Sequence, residues 1–189
     1  MYEVSLAETW ERFGSHLDGA YASPVLVVSG TPLPDNARNA LESSVAALGY
    51  GKNACTFLVV EPIGRSEGAD ATHSGAKALS TDKTFANEKD ASVIEAPSGA
   101  APASAAGALF DGSLFAAIEG LDPMAMIIAD RAAVSACSQA YRCDISAPDK
   151  NRMLGRDVIA FDDFASLLAN PQDKQRAWGL LKRLPRLDS

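Results

Sequence analysis

The chain has 189 residues, 47% of them hydrophobic, and a formal net charge of −7. That length fits one domain, or one domain with an insert, and that apolar content is enough to build a core. No apolar run reaches 18 residues, which excludes a transmembrane helix among the expectations. The start, Met1-Tyr2-Glu3-Val4-Ser5, has neither a basic region nor an apolar stretch after it, so a cytoplasmic location is expected.

The elements follow in chain order. Leu6 to Leu17 reads as an amphipathic helix. Pro24-Val25-Leu26-Val27-Val28-Ser29-Gly30 is a short β-branched run closed by glycine, the pattern of a buried parallel strand. After Pro32 and Pro34, Asp35 is placed to cap a helix whose apolar stripe is Ala37, Leu41, Val45 and Leu48, with Gly49 and Gly51 ending it. A second strand covers Cys55 to Val60. Residues 65 to about 106 are rich in Ala, Ser, Gly, Lys and Asp and poor in large apolar residues, which reads as a flexible insert with room for a short strand near Ser92-Val93-Ile94. A helix over Leu109–Leu121 is broken by Asp122-Pro123. Met124–Ala129 is the third strand, and Asp130 caps a helix running to about Tyr141. Asp157–Phe161 is the fourth strand. Asn170-Pro171 opens the last helix as cap and first-turn proline, with Ala177, Trp178, Leu181 and Leu184 as its buried face.

Strands alternating with helices imply parallel pairing through right-handed crossovers. The expected fold is therefore α/β: a three-layer α/β/α sandwich around a four-stranded parallel sheet. In such sheets ligands sit beyond the C-terminal strand ends. The candidate cleft is accordingly Ser29, Gly30, Thr31, Asp35, Asp130, Asp162 and Asp163. An open polar cleft there favours a ligand site, and a mouth filled by Phe161 or Phe164 disfavours one.

The first strand is not followed by GxGxxG or a Walker loop and there is no GxSxG elbow, so a nucleotide phosphate cradle and a serine hydrolase are not expected. Cys55 reads as a small buried hydrophobe. Cys137 and Cys143 have no zinc-like spacing, and His16 and His73 read as surface residues, so neither metal nor cofactor is expected. Residues 1–128 carry 16 acids and 7 bases, whereas residues 129–189 carry 8 acids and 10 bases. An acidic chain is a poor general polyanion binder, although a local basic surface near the C-terminus is open. Arg131, Arg142, Lys174 and Arg176 are the candidate phosphate or partner contacts, weighed against plain surface exposure.

The segment Leu167-Leu168-Ala169-Asn170-Pro171, with Lys174 and Ala177-Trp178, resembles the C-terminal segment of the uracil-DNA glycosylase superfamily. Leu121-Asp122-Pro123-Met124 and the Pro32 turn resemble two earlier pieces of that fold. The resemblance implies a base-flipping glycosylase ancestry, but the positions that carry the chemistry differ. Gly30 stands where a polar group would hold the attacking water. Asp163 stands where a histidine would stabilise the leaving base. The loop after Pro32 lacks the stacking aromatic, Phe57–Val60 lacks a base-reading amide, and the cluster-binding cysteines are missing.

The leading expectation is thus a non-catalytic member that acts by binding, with a protein of DNA replication or repair as partner and no membrane contact. The first alternative is a divergent glycosylase or nucleotide-processing hydrolase that uses the strand-end aspartates. The second is a weak single-stranded nucleic-acid binder using the basic last helix.

Overall fold

The structure, a computed structural model, describes residues 5–61, 109 and 111–187. The insert expected over residues 65–106, the short strand near Ser92 and His73 lie outside the described residues. In order, the elements are α1 (Leu6–Phe13), β1 (Leu17–Gly19), β2 (Val25–Ser29), α2 (Asp35–Val45), β3 (Cys55–Val59), α3 (Asp111–Leu121), β4 (Ala125–Ile128), α4 (Arg131–Tyr141), β5 (Asp149–Met153), β6 (Arg156–Ala160), α5 (Phe164–Leu167) and α6 (Pro171–Leu181).

The sheet has six strands in the order β1-β3-β2-β4-β6-β5. The inner four run parallel, whereas β1 pairs with β3 and β5 with β6 antiparallel. The expected four-stranded parallel sheet is therefore corrected to a six-stranded mixed one. The added strands are edges. They are short or charged, as in Asp149-Lys150-Asn151-Arg152-Met153, which keeps their open hydrogen-bonding groups from pairing with another chain.

Alternation along the inner strands divides the core into two layers. Val25, Val27, Ile127, Ile159 and Phe161 face α2, α5 and α6, joined by Leu41, Val45, Phe164 and Leu181. Leu26, Val28, Met126, Ile128 and Val158 face the opposite layer with Leu114 and Ile118 of α3 and Cys137 of α4. Both strand faces are covered, which is why these strands read as continuous apolar runs. Cys55 is buried as expected, and burial pushes its thiol up to about 12.

Local signals explain most boundaries. Ser5 and Glu8 form a reciprocal capping box at the start of α1. α1 is shorter than expected, because Leu17 leaves the helix to begin β1. His16, expected at the surface, is 5% exposed. Its Nδ1 donates to the Val59 carbonyl at 2.9 Å, and the Val59 N–H donates to the His16 carbonyl at 2.9 Å. The ring is thus a satisfied part of the β1–β3 pairing. α2 ends in one wide turn, Ala46–Tyr50, where Gly49 adopts φ 91°. That left-handed conformation is what glycine supplies.

One close approach fixes how α1 meets α3. A methyl group at Gly120 would lie 2.1 Å from Oγ1 of Thr9, a fully buried residue whose hydroxyl donates to the Ser5 carbonyl. Gly120→Ala gains about 1 kcal/mol of helix propensity, but the overlap forces the helices apart. The net expectation is a loss of about 2 kcal/mol, read from the denaturant midpoint. Adding Thr9→Ala should recover most of it; a double variant as unstable as Gly120→Ala alone would refute the contact.

Candidate functional site

The connection after β2 leads outward to β3, while the chain from β4 proceeds to β6 on the other side. A parallel sheet whose order reverses in this way opens a crevice at the C-terminal strand ends, between the two diverging connections. A depression of about 390 Å³ lies there, lined by residues that include Gly30, Thr31, Glu61, Asp130, Asp162 and Asp163. Phe161 and Phe164 do not fill its mouth. Both are buried in the layer under α2 and α6, in contact with each other at 5.1 Å between ring centroids.

Five of the seven predicted cleft residues, Gly30, Thr31, Asp130, Asp162 and Asp163, come together in this crevice. Ser29 does not line it, because its residue is only 2% exposed and sits within the sheet. Asp35 does not line it either. The cap position of α2 belongs to Pro34, and Asp35 is an exposed first-turn residue, placed favourably against the helix dipole without a cap bond. Among the predicted cations, Arg131 lines the crevice, whereas Lys174 and Arg176 lie on α6 and Arg142 ends α4.

Each aspartate of the crevice has a local partner. Asp130 caps α4 as expected: its Oδ1 accepts from the Ala133 N–H at 2.8 Å and its Oδ2 from the Gly30 N–H at 2.8 Å. Asp162 accepts from the Arg131 guanidinium at 2.7 and 3.2 Å. Asp163 caps α5, accepting from the Ser166 N–H at 3.0 Å and from the Ser166 hydroxyl. Those two bonds hold the Asp163 carboxyl below its ordinary range, so it is ionised at neutral pH. A short antiparallel bridge between Asp130 and Asp163 ties the ends of β4 and β6 together.

This arrangement limits the chemistry. A general acid–base pair needs two groups whose environments separate their proton affinities, and each of the three aspartates here is committed to a cap or an arginine instead. Among the described residues, no group of three or more His, Cys, Asp or Glu side chains is placed to hold a metal ion. The crevice carries Glu61, Asp130, Asp162 and Asp163 against Arg131 alone. An excess of three negative charges repels a phosphodiester. Gly30 also has a physical cause that the sequence does not display. A Cβ at that position would lie 2.7 Å from the Ala132 Cβ and 3.1 Å from Asp130 Oδ1. A side chain holding a water there has no room.

A second depression escaped the sequence reading. About 480 Å³ in volume, it lies beside α6 and is lined by Pro148, Phe161, Leu167, Ala177, Gly179 and Leu180, with Asp173, Arg176 and Arg183 also at its walls. The only signal for it in the sequence is the positive bias of the C-terminal segment, because its lining comes from α5, α6 and the connecting residues Pro148, Phe161 and Arg183.

No protein-family model matches the chain, and no curated protein sequence matches it. Among the described residues, no helix is long and apolar enough to cross a membrane.

Proposed function

We propose that this is a uracil-DNA glycosylase-like domain that does not excise bases and acts by binding a protein, with a component of DNA replication or repair as the partner class. The observation that carries the non-catalytic part is the crevice itself. Gly30 is closed to any side chain, and Asp163, at the position where a histidine would face the leaving base, is an ionised helix cap. A carboxylate there opposes charge developing on a departing base. The four inner parallel strands, with helices on both faces, support the glycosylase-like ancestry at the level of architecture. The acidic crevice supports a protein partner over a phosphodiester backbone.

The test is single-turnover excision on single-stranded and duplex DNA containing uracil, at low salt with protein in excess, with Asp163→Ala in parallel. The expected result is no base release by either protein over hours. Release by the wild type that Asp163→Ala abolishes would overturn the proposal and make Asp163 a catalytic residue.

A further inference from the structure

We propose that the depression beside α6 is the docking site for a short segment of a partner protein in which large apolar side chains are flanked by carboxylates. The inference rests on the binding role proposed above and places that role away from the strand-end crevice. Three observations converge on it.

The first is shape and lining. The depression is the larger of the two, at about 480 Å³, and Pro148, Leu167 and Leu180 give it an apolar surface over the buried Phe161 and Ala177. That volume matches one or two bulky side chains, the usual anchors of a peptide in a groove.

The second is charge. Residues 171–187 carry one acid, Asp173, against Lys174, Arg176, Lys182, Arg183 and Arg186, in a chain whose net charge is −7. Arg176 and Arg183 stand at the walls of the depression. Each is itself exposed and has a carboxylate neighbour, Arg176 the partly buried Asp173 at 3.0 Å and Arg183 the exposed Asp149 at 2.7 Å. Such surface pairs contribute little and exchange readily for a ligand carboxylate. The complementary segment is therefore acidic as well as apolar.

The third is Gly179. It lies inside α6, where glycine is a poor helix former, and neither of the usual reasons for glycine applies. Its backbone is helical, and an added Cβ would meet nothing within 4 Å. The chain itself makes no demand for a bare backbone at this point. An approaching partner would, since glycine lets another chain come close to the helix.

A nucleic-acid strand fits less well. Base binding relies on exposed aromatic faces, and the aromatic lining this depression, Phe161, is fully buried. Trp178 faces a smaller hollow with Lys174 and Leu168 instead.

The experiment uses the full chain on an array of hexapeptides that combine Asp and Glu with Leu, Ile, Phe and Trp, beside matched peptides in which Lys replaces the acids. Array positives are then measured by fluorescence anisotropy, with a labelled oligothymidylate as the nucleic-acid probe. Three variants accompany the wild type: Gly179→Leu, Arg176→Glu with Arg183→Glu, and Asp163→Ala as the crevice control. Gly179→Leu enters open space and improves helix propensity, so its melting temperature should not fall, which separates blocked binding from misfolding.

The expected result is that acidic–apolar peptides bind and their Lys counterparts do not. Affinity should fall about tenfold or more in Gly179→Leu and in the double charge reversal, and should weaken as salt rises. Peptide binding lost in Asp163→Ala but kept in the α6 variants would overturn this location and leave the binding role standing. Oligothymidylate binding that requires Arg176 and Arg183, with a silent peptide array, would overturn the occupant in favour of nucleic acid. A silent array with no oligothymidylate binding would overturn the site altogether. Failure of the underlying reading is distinguished independently, by uracil release in the excision assay.

Discussion

Arg156→Met should destabilise the protein by about 3 kcal/mol at neutral pH, seen as a lower midpoint of urea unfolding. The Arg156 side chain is 16% exposed and donates to both carboxylate oxygens of Glu119 and to Asp122. Glu119 also accepts from the Tyr141 hydroxyl at 2.6 Å. The cluster thereby joins β6 to α3 and α4. Methionine keeps much of the volume but leaves Glu119 charged, half-buried and short of its main partner. Burial alone pushes the Glu119 carboxyl up, yet the hydrogen bonds from Arg156 and Tyr141 outweigh it and hold the group below its ordinary value. A carboxyl lowered on folding adds stability above its unfolded-state range, and that stability is lost as pH falls through the folded value. The wild type should therefore lose part of this contribution on acidification. In the variant, protonation removes an unpaired charge, so the gap between the two proteins should narrow from about pH 7 to about pH 4. A gap that stays constant with pH would show that lost packing, not the ion pair, causes the destabilisation.

The parts of the fold legible in the sequence are those whose physics is local and repetitive. Val25–Val28, Phe57–Val59, Met126–Ile128 and Val158–Ala160 are buried on both faces, and their unbroken apolar runs place the inner strands within one or two residues. Asn170-Pro171 and Asp130 mark helix starts because a cap bond depends only on neighbours in the chain, and both side chains accept the expected backbone N–H. The edge strands were not legible, because they are short and offer too few buried apolar residues to show a strand pattern. Leu17 reads as the end of the first helix, with Asp18-Gly19 after it unassigned, and β5 is almost wholly polar. The turn between β5 and β6 places Leu154 at φ 46° and Gly155 at φ 87°; the glycine is a turn signal, but leucine is not a residue that local preference assigns to a left-handed position.

The candidate site divides in the same way. Topology alone points to the strand ends, and Gly30, Thr31, Asp130, Asp162 and Asp163 do gather there. What those side chains bond to is a tertiary fact. The Gly30–Asp130 bond spans a hundred residues of sequence, and the Ala132 methyl that excludes a side chain at residue 30 comes from another element. His16 shows the same limit: its polar neighbours suggest solvent, while its ring is held by Val59, 43 residues away. Sequence reasoning sees a missing catalytic group at Gly30; the packing supplies the reason that none fits.

Asp130→Ala should cost about 3 kcal/mol, more than most substitutions of a cleft carboxylate, because Asp130 holds two elements at once. Its loss uncaps α4 at the Ala133 N–H, for about 1 kcal/mol. It also leaves the N–H of Gly30, a buried residue, without its acceptor, for about 2 kcal/mol more. Asp130→Asn separates the two contributions. The amide oxygen can still accept from Ala133, whereas the amide nitrogen meets the Gly30 N–H donor to donor. The asparagine variant should therefore fall between the wild type and Asp130→Ala in stability. A catalytic carboxylate behaves differently: its amide commonly keeps the fold while the reaction stops, since the proton-transfer group is lost and the shape is kept. Unfolding midpoints ranked wild type, Asp130→Asn, Asp130→Ala would identify Asp130 as a structural tie between β2 and α4. Two variants as stable as the wild type would free this carboxylate from the scaffold and return the crevice to consideration as a reactive site.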